Sequence, residues 1–290
     1  MIPITATVIT FNEETNIRAC LESVSWVDHI VVIDSGSSDR TTEIAREFTA
    51  NVIVTDWPGH VAQKNRAIDH SPTDWIFSLD ADERCTPELR REIERVARDG
   101  EPSRRGYSVR RKTRYLGRWI LHGGWYPDRK VRFFDRRAAR WGGVDPHDHI
   151  DIDEPVEALD ADLLHFTYRD VRHHLNVIDF FTDIAARQKD LRGKAHPILG
   201  MLVRPPVKFA RMYWWKRGYR DGFAGFVIAV LGAYYVFLKD AKLWERRRLR
   251  ARGLDPDAAD RFARGPEWRA PRANLGVDGA LEAADESRTP

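Results

Sequence analysis

Trp75-Ile76-Phe77-Ser78-Leu79-Asp80-Ala81-Asp82-Glu83-Arg84-Cys85 is the stretch that decides how the chain is read. A mostly apolar run of strand type, Trp75 to Leu79, ends abruptly in the carboxylates Asp80, Asp82 and Glu83. A buried strand that terminates so must present its acids to water, to a cation or to hydrogen-bond donors. Alternation lets Asp80 and Asp82 emerge on the same side of an extended backbone. Two hard oxygen ligands suit Mg2+ or Mn2+, which often hold only one or two protein carboxylates and take substrate phosphates besides. The competing reading, that these acids cap the next helix, is weakened by Thr86-Pro87-Glu88. Those three already supply a cap, a first-turn proline and an acid.

Working outward, the β-branched alternation of residues 4–10 reads as a strand. The polar stretch 12–16 follows, and then Ile17, Cys20, Leu21 and Val24 at the spacing of an amphipathic helix. Ile30 to Ile33 is a second strand, closed by Asp34 and the turn 35–39. A helix through Ile44, Ala45 and Phe48 leads to a third strand at 51–55. A short helix carrying Gln63, Lys64 and Asn65 precedes the strand at 75–79. Repeated strand–helix alternation predicts an α/β fold with a mostly parallel sheet wrapped on both faces. Ligands of such sheets collect beyond the carboxyl ends of the strands. Polar residues stand at those ends: Asn12 and Glu14, then Asp34, then Asp80 and Asp82.

From Gly106 the character changes. Strands at 107–115, 130–135 and 160–165 are separated by Gly- and Trp-rich loops, which predicts mixed or antiparallel additions to the sheet on an acceptor side. A helix spans 170–192, and beyond Arg252 the chain turns polar and poor in aromatics. The expected division is a first domain at 1–168, a helical region at 169–252 and a flexible tail at 253–290. At 42% hydrophobic residues there is enough apolar material for a sizeable core, and a net charge of +3 is too small to make nucleic acid the main partner. Arginine is nevertheless dense at 104–114, 129–140 and 245–252, which favours phosphates or anionic lipid. Two cysteines, Cys20 and Cys85, build no disulfide framework, and the N-terminus lacks a basic leader, so a cytoplasmic location is expected.

Several of these segments, taken together, resemble the family 2 glycosyltransferases of the GT-A nucleotide-sugar fold. They are Val8-Ile9-Thr10-Phe11-Asn12-Glu13-Glu14, the run 31–41 from Val31 through Asp34 to Thr41, Gln63-Lys64-Asn65 and Leu79-Asp80-Ala81-Asp82-Glu83, in the family's order. The segments 123–132 and 241–245 resemble the narrower group of lipopolysaccharide inner-core β-glucosyltransferases. The resemblance implies that Thr10, Phe11, Asn12, Glu14 and Asp34 hold the nucleoside, with Asp34 on the base. It places Asp80 near the ribose, and Asp82 on a divalent metal, Mg2+ or Mn2+, that bridges the donor phosphates. His165 is expected to complete the metal shell or touch the diphosphate, and Lys64 to contact the donor phosphates or the nucleoside. Arg129 and Arg132, following Trp125-Tyr126, are placed to stabilise the leaving diphosphate or to bind an anionic acceptor. Inverting transfer needs a carboxylate base, worth ~10²–10⁴-fold. Relatives carry an acid directly after a histidine here. Asp148, following His147, stands where glutamate is expected, one methylene shorter, and Asp145 is the rival.

The implied partners are a nucleotide sugar, a UDP-sugar foremost, and a lipopolysaccharide-core or other lipid-linked glycan acceptor, with glucose as the transferred sugar. The alternatives are a polyprenyl-phosphate acceptor and a nucleotide-sugar-binding protein without activity. A haloacid-dehalogenase-type phosphatase also opens on Asp-x-Asp, but there the triplet ends the first strand, and here it ends the fourth. Residues 222–238 carry no charge, and 17 helical residues reach ~25 Å against the ~30 Å bilayer core. With Lys216, Arg217 and Arg220 before the run and Lys239 and Lys242 after it, peripheral or monotopic attachment to the anionic inner face of the cytoplasmic membrane is expected. A core helix, a dimer helix or a true span are the other readings.

Overall fold

The computed structural model describes residues 1–98, 100, 102–144, 147–193 and 196–257. Strands β1 (Ile4–Thr10), β2 (His29–Asp34), β3 (Val52–Val54) and β4 (Trp75–Asp80) run parallel in the order β3-β2-β1-β4. Helices α1 (Ile17–Ser23), α2 (Thr41–Arg46) and α3 (His60–Asp69) connect them. Alternation sorts the strand side chains onto two faces. Ile4, Ala6 and Val8 of β1, with Trp75, Phe77 and Leu79 of β4, join α1, α2 and α4 (Pro87–Arg98) in the main core. Ile9, Val31 and Ile33 pack on Ala67 of α3 on the opposite face. Two covered faces explain why these strands read as nearly unbroken apolar runs.

Beyond β4 the sheet becomes mixed. β8 (Asp128–Asp135) pairs antiparallel with β4, β6 (Gly106–Tyr115) antiparallel with β8, and β11 (Glu157–His165) parallel with β6. The short β5 (Glu83–Cys85) then adds antiparallel to β11, so that His165 faces Glu83 on one side and Thr113 on the other. The chain therefore returns to the sheet immediately after Asp82, and that return brings Asp82 to His165. A two-residue strand, β7 (Arg118–Trp119), pairs with the end of β6.

Residues 142–144 and 147–149 belong to the paired strands β9 (Ala139–Val144) and β10 (His147–Ile152). Their Trp141 and Ile150 pack on Ile68 of α3 and Ile76 of β4. The Asp151 carboxylate lies over Gly142, in the space that a Cβ there would need. Glycines and charged residues hide the strand period here, and burial against α3 supplies what local sequence lacks.

After His165 the described chain is helical. Asp170 caps α5 (Val171–Leu191), its carboxylate accepting from His173 N at 2.6 Å. Next come α6 (Pro197–Ala210), a π-helical turn at Arg211–Trp215, a 3₁₀ turn at Gly218–Asp221 and α7 (Gly222–Ala251). Helices α6 and α7 form an antiparallel hairpin, with Gly200 against Asp240 and Met212 against Gly232. Gly225 permits the tightest approach, since a Cβ there would fall 1.9 Å from the Gly218 carbonyl oxygen. Asp221, almost fully buried, ties this hairpin to the sheet side by accepting from His122 N at 2.8 Å. The run 222–238 is thus the first half of a 30-residue helix, ~45 Å long. The uncharged run itself remains 17 residues, because the second half of the helix carries Lys239, Asp240, Lys242, Glu245 and Arg246. Among the described residues this is the one helix long and apolar enough to cross, with 33% of its apolar window buried in the protein.

Candidate active site

The turn after β4 is built on a buried acid. Glu83 is fully buried; its Oε2 accepts from Asp80 N at 3.0 Å and its Oε1 from Arg132 Nη2 at 2.6 Å. Arg132, on β8 and also buried, donates to Asp80 Oδ2 at 2.9 Å. Lys64, on α3, lies 3.0 Å from Asp80 Oδ1 and 2.6 Å from Asp148 Oδ2, with its ammonium 4.1 Å from the centre of the Trp141 ring. Arg111 extends the array, 3.8 Å from Glu83 and 2.6 Å from Asp128. Charges taken from water survive only when partnered in this way.

Burial opposes ionisation of Asp80, but Lys64 and Arg132 outweigh it and hold the carboxyl well below its ordinary range. Asp148 is likewise held low: burial pushes it up, and the Lys64 ammonium more than reverses this. Burial works against the Arg132 charge too, and Glu83 and Asp80 raise its pKa above the ordinary arginine value.

Both oxygens of Asp80 are committed to cations, so the structure divides the pair of acids expected to share one ion. Asp82 faces His165 instead, with Oδ2 3.5 Å from Nε2. His165 Nδ1 lies 3.3 Å from Thr113 Oγ1, a contact that fixes the ring so that Nε2 points at Asp82. Among the described residues no group of three His, Cys, Asp or Glu side chains is gathered as a complete metal cluster. The oxygen of Asp82 and the nitrogen of His165 still fit Mg2+ or Mn2+, whose remaining positions phosphate and water oxygens fill.

These groups line a cleft of about 450 Å³ at the carboxyl ends of β1 and β4. Of the residues singled out from sequence, Lys64, Asp80, Asp82, Asp148 and His165 meet there. The nucleoside-loop residues do something different. Asp34 is fully buried and its Oδ1 accepts from Gly36 N and Ser37 N at 2.9 and 2.7 Å, while Oδ2 accepts from Ser37 Oγ. The structure gives this carboxylate to its own turn rather than to the cleft wall. Asn12, buried and at φ 51°, accepts from Ser38 N at 2.8 Å, and Glu14 accepts from Arg40 N at 3.1 Å. Thr10 is buried and Phe11 half-buried in the same loop. From this loop Glu13 lines the cleft.

Arg129 is not brought to the cleft. Strand alternation turns it away, and its guanidinium lies 3.3 Å from the Leu159 carbonyl oxygen, while its neighbour Asp128 faces the site. Asp145 lies outside the described residues. Sequence reasoning also passed over Arg111, Trp125, Tyr168 and Arg169 as lining groups. The period of two on β6 would have found Arg111, on the same face as Thr113. Nothing local marks Arg169, whose guanidinium reaches Asn12 O at 3.4 Å from 157 residues away.

Residues 5–150, half of the chain, match the family described as glycosyl transferase family 2. The chain belongs to glycosyl transferase family 2. This family 2 transferase is 28% identical over 270 residues to a lipopolysaccharide core biosynthesis glycosyltransferase, LpsC, of Rhizobium meliloti, covering 89% of this chain and 97% of that one. It is 27% identical over 249 residues to a glycosyltransferase of Rickettsia typhi, covering 82% of this chain and 85% of that one. It is also similar to the glucosyl-3-phosphoglycerate synthase of Mycobacterium tuberculosis crystallised with Mn2+ and UDP-glucose. That match has 21% identity and a TM-score of 0.32, over 39% of this chain and 44% of that one. The mixed, mostly parallel sheet with helices on both faces is the GT-A arrangement expected of the family.

Proposed function

We propose that the protein is a metal-dependent inverting glycosyltransferase that moves a sugar from a UDP-sugar to a lipid-linked glycan, in the manner named for its lipopolysaccharide-core relative. One observation carries this reading: Asp82 with His165, and Lys64 bridging Asp80 and Asp148, converge on a single cleft at the carboxyl ends of parallel strands. Asp82 and His165 are the groups that would hold Mg2+ or Mn2+, which neutralises charge growing on the departing diphosphate. Lys64 and Arg111 put positive charge on the walls where that diphosphate lies. Asp148 takes the proton from the acceptor hydroxyl as its oxygen bonds to the anomeric carbon. The bond from that carbon to the phosphate oxygen breaks on the opposite side, which inverts the centre. Trp125 and Tyr168 offer ring faces to the sugars.

The lipid end of the acceptor is supported by the helical region. Leu202, Val207, Trp214, Trp215 and Phe223 are between 59% and 85% exposed, an apolar face suited to the inner surface of the cytoplasmic membrane. The reading assigns 1–168 to donor binding and catalysis and 169–252 to membrane attachment. A polyprenyl phosphate is the second acceptor reading, favoured by the lysines and arginines around the π-helical turn. The test is a panel of nucleotide sugars assayed for hydrolysis and transfer, with and without Mn2+. Metal-stimulated release of UDP from one sugar donor is expected, and a chain inert toward every donor with either ion overturns the proposal.

A further inference from the structure

A second recess of about 210 Å³ opens beside the cleft, between α5, α6 and α7. Its walls are mainly apolar, from Ile178, Met212, Ile228 and Leu231, and it shares Trp125, Tyr168, Val177 and Phe181 with the cleft. The two spaces are therefore neighbours across a shared wall. Lys208 is the charged group of the recess. Lys216 stands at the border, its ammonium 3.0 Å from where a Cβ on Gly124 of the cleft wall would lie. Burial first, and then Arg211 and Lys216, hold the Lys208 ammonium below the ordinary lysine value, and no carboxylate among the described residues offsets them. An apolar pit beneath an uncompensated cluster of three cations is complementary to an anion that carries a hydrocarbon chain.

The helices that wall the recess also carry the exposed apolar face. We propose that this recess takes the hydrocarbon chain of a phosphate-bearing lipid acceptor, whose phosphate rests on Lys208, Arg211 and Lys216 while its sugar-receiving end lies in the cleft. The proposal rests on the lipid-linked acceptor of the preceding reading and adds where the chain and the phosphate sit. It also sets a limit on the acceptor. Because recess and cleft share a wall, few atoms separate the phosphate from the receiving hydroxyl or oxygen.

The test uses the full chain and a long-chain alkyl phosphate with a diazirine near the end of the chain, cross-linked by light and mapped by mass spectrometry. Labels on Val177, Ile178, Ile228 or Leu231 are expected. Lys208→Gln should lower labelling about tenfold, the effect of losing one charge-assisted hydrogen bond, and Lys208→Arg should restore most of it. An alkyl alcohol of equal length should label at least tenfold less. Labels confined to Trp214, Trp215 and Phe223 would show surface docking only and overturn the proposal. So would equal labelling by the alcohol, or displacement by inorganic phosphate as effective as by unlabelled alkyl phosphate. The wild-type label positions decide the matter even where a variant fails to fold. Labelling requires no sugar transfer, so its failure leaves the transferase reading standing, and failure of donor turnover leaves the label map standing.

Discussion

Lys64 ties together two carboxylates that have different tasks. Through Asp80 it anchors the turn that presents Asp82, and through Asp148 it keeps the proposed base ionised. Asp148→Asn is expected to leave donor binding intact and lower turnover by ~10²–10⁴-fold. Full activity in a transfer assay of that variant would remove Asp148 from the role. Because Lys64 holds Asp148 low, the acid limb of kcat/KM should fall below the ordinary carboxylate range. Lys64→Met leaves burial unopposed on that side and should move the limb upward; a limb that stays in place breaks the link. Asp82→Asn should abolish Mn2+-dependent binding of UDP-sugar measured by calorimetry, and wild-type affinity would refute its assignment to the metal.

Two helices carry predictions of their own. On α5, His174 lies beneath an aromatic group, its Nδ1 hydrogen-bonded with Tyr115 Oη at 2.9 Å and its ring stacked 4.0 Å from Tyr168. Burial, with a smaller push from His173, lowers its pKa from 6.5 to about 4. Protons therefore bind the unfolded chain first as the pH falls. Stability is full above pH 6.5 and declines from there toward pH 4. The loss near pH 5 should be about 2 kcal/mol, read by urea unfolding, and His174→Phe should flatten the profile. On α7, Asp240 is fully buried and accepts from Arg204 Nη1 at 2.8 Å and Lys189 Nζ at 2.5 Å, clasping α6 and α5. Its partners can still reach water, so Asp240→Asn should cost about 1–3 kcal/mol. An unchanged unfolding midpoint would make the clasp incidental.

At the scale of the whole molecule, the sheet turns its acidic edge toward the cleft, and the helical region turns an apolar, Trp-rich face outward. Trp214 and Trp215 are 61% and 85% exposed, beside Arg211, Lys216 and Arg217. Co-sedimentation with anionic vesicles is expected, weakened by salt as the Debye length shrinks. Trp214→Ser with Trp215→Ser should reduce the bound fraction by about tenfold or more, given roughly 1.5–3 kcal/mol per large apolar side chain buried. Equal binding by the double variant would turn that face from membrane surface into something else.

Local pattern alone carried the α/β alternation, the strand ends that bear polar groups and the capping of α4 by Thr86, whose Oγ1 accepts from Leu89 N at 3.1 Å. It carried them because period and capping are properties of neighbouring residues. Tertiary structure alone decided that Glu83 is a buried support held by Arg132, and that Arg132 instead of Arg129 lies beneath the site. It also paired strand 139–144 with strand 147–152 and set Asp148 against Lys64, 84 residues away. The physical reason is common to all of these. Which carboxylate is free to act depends on which cation reaches it, and that is fixed by strand register and by helices packed across the sheet, which no local spacing encodes.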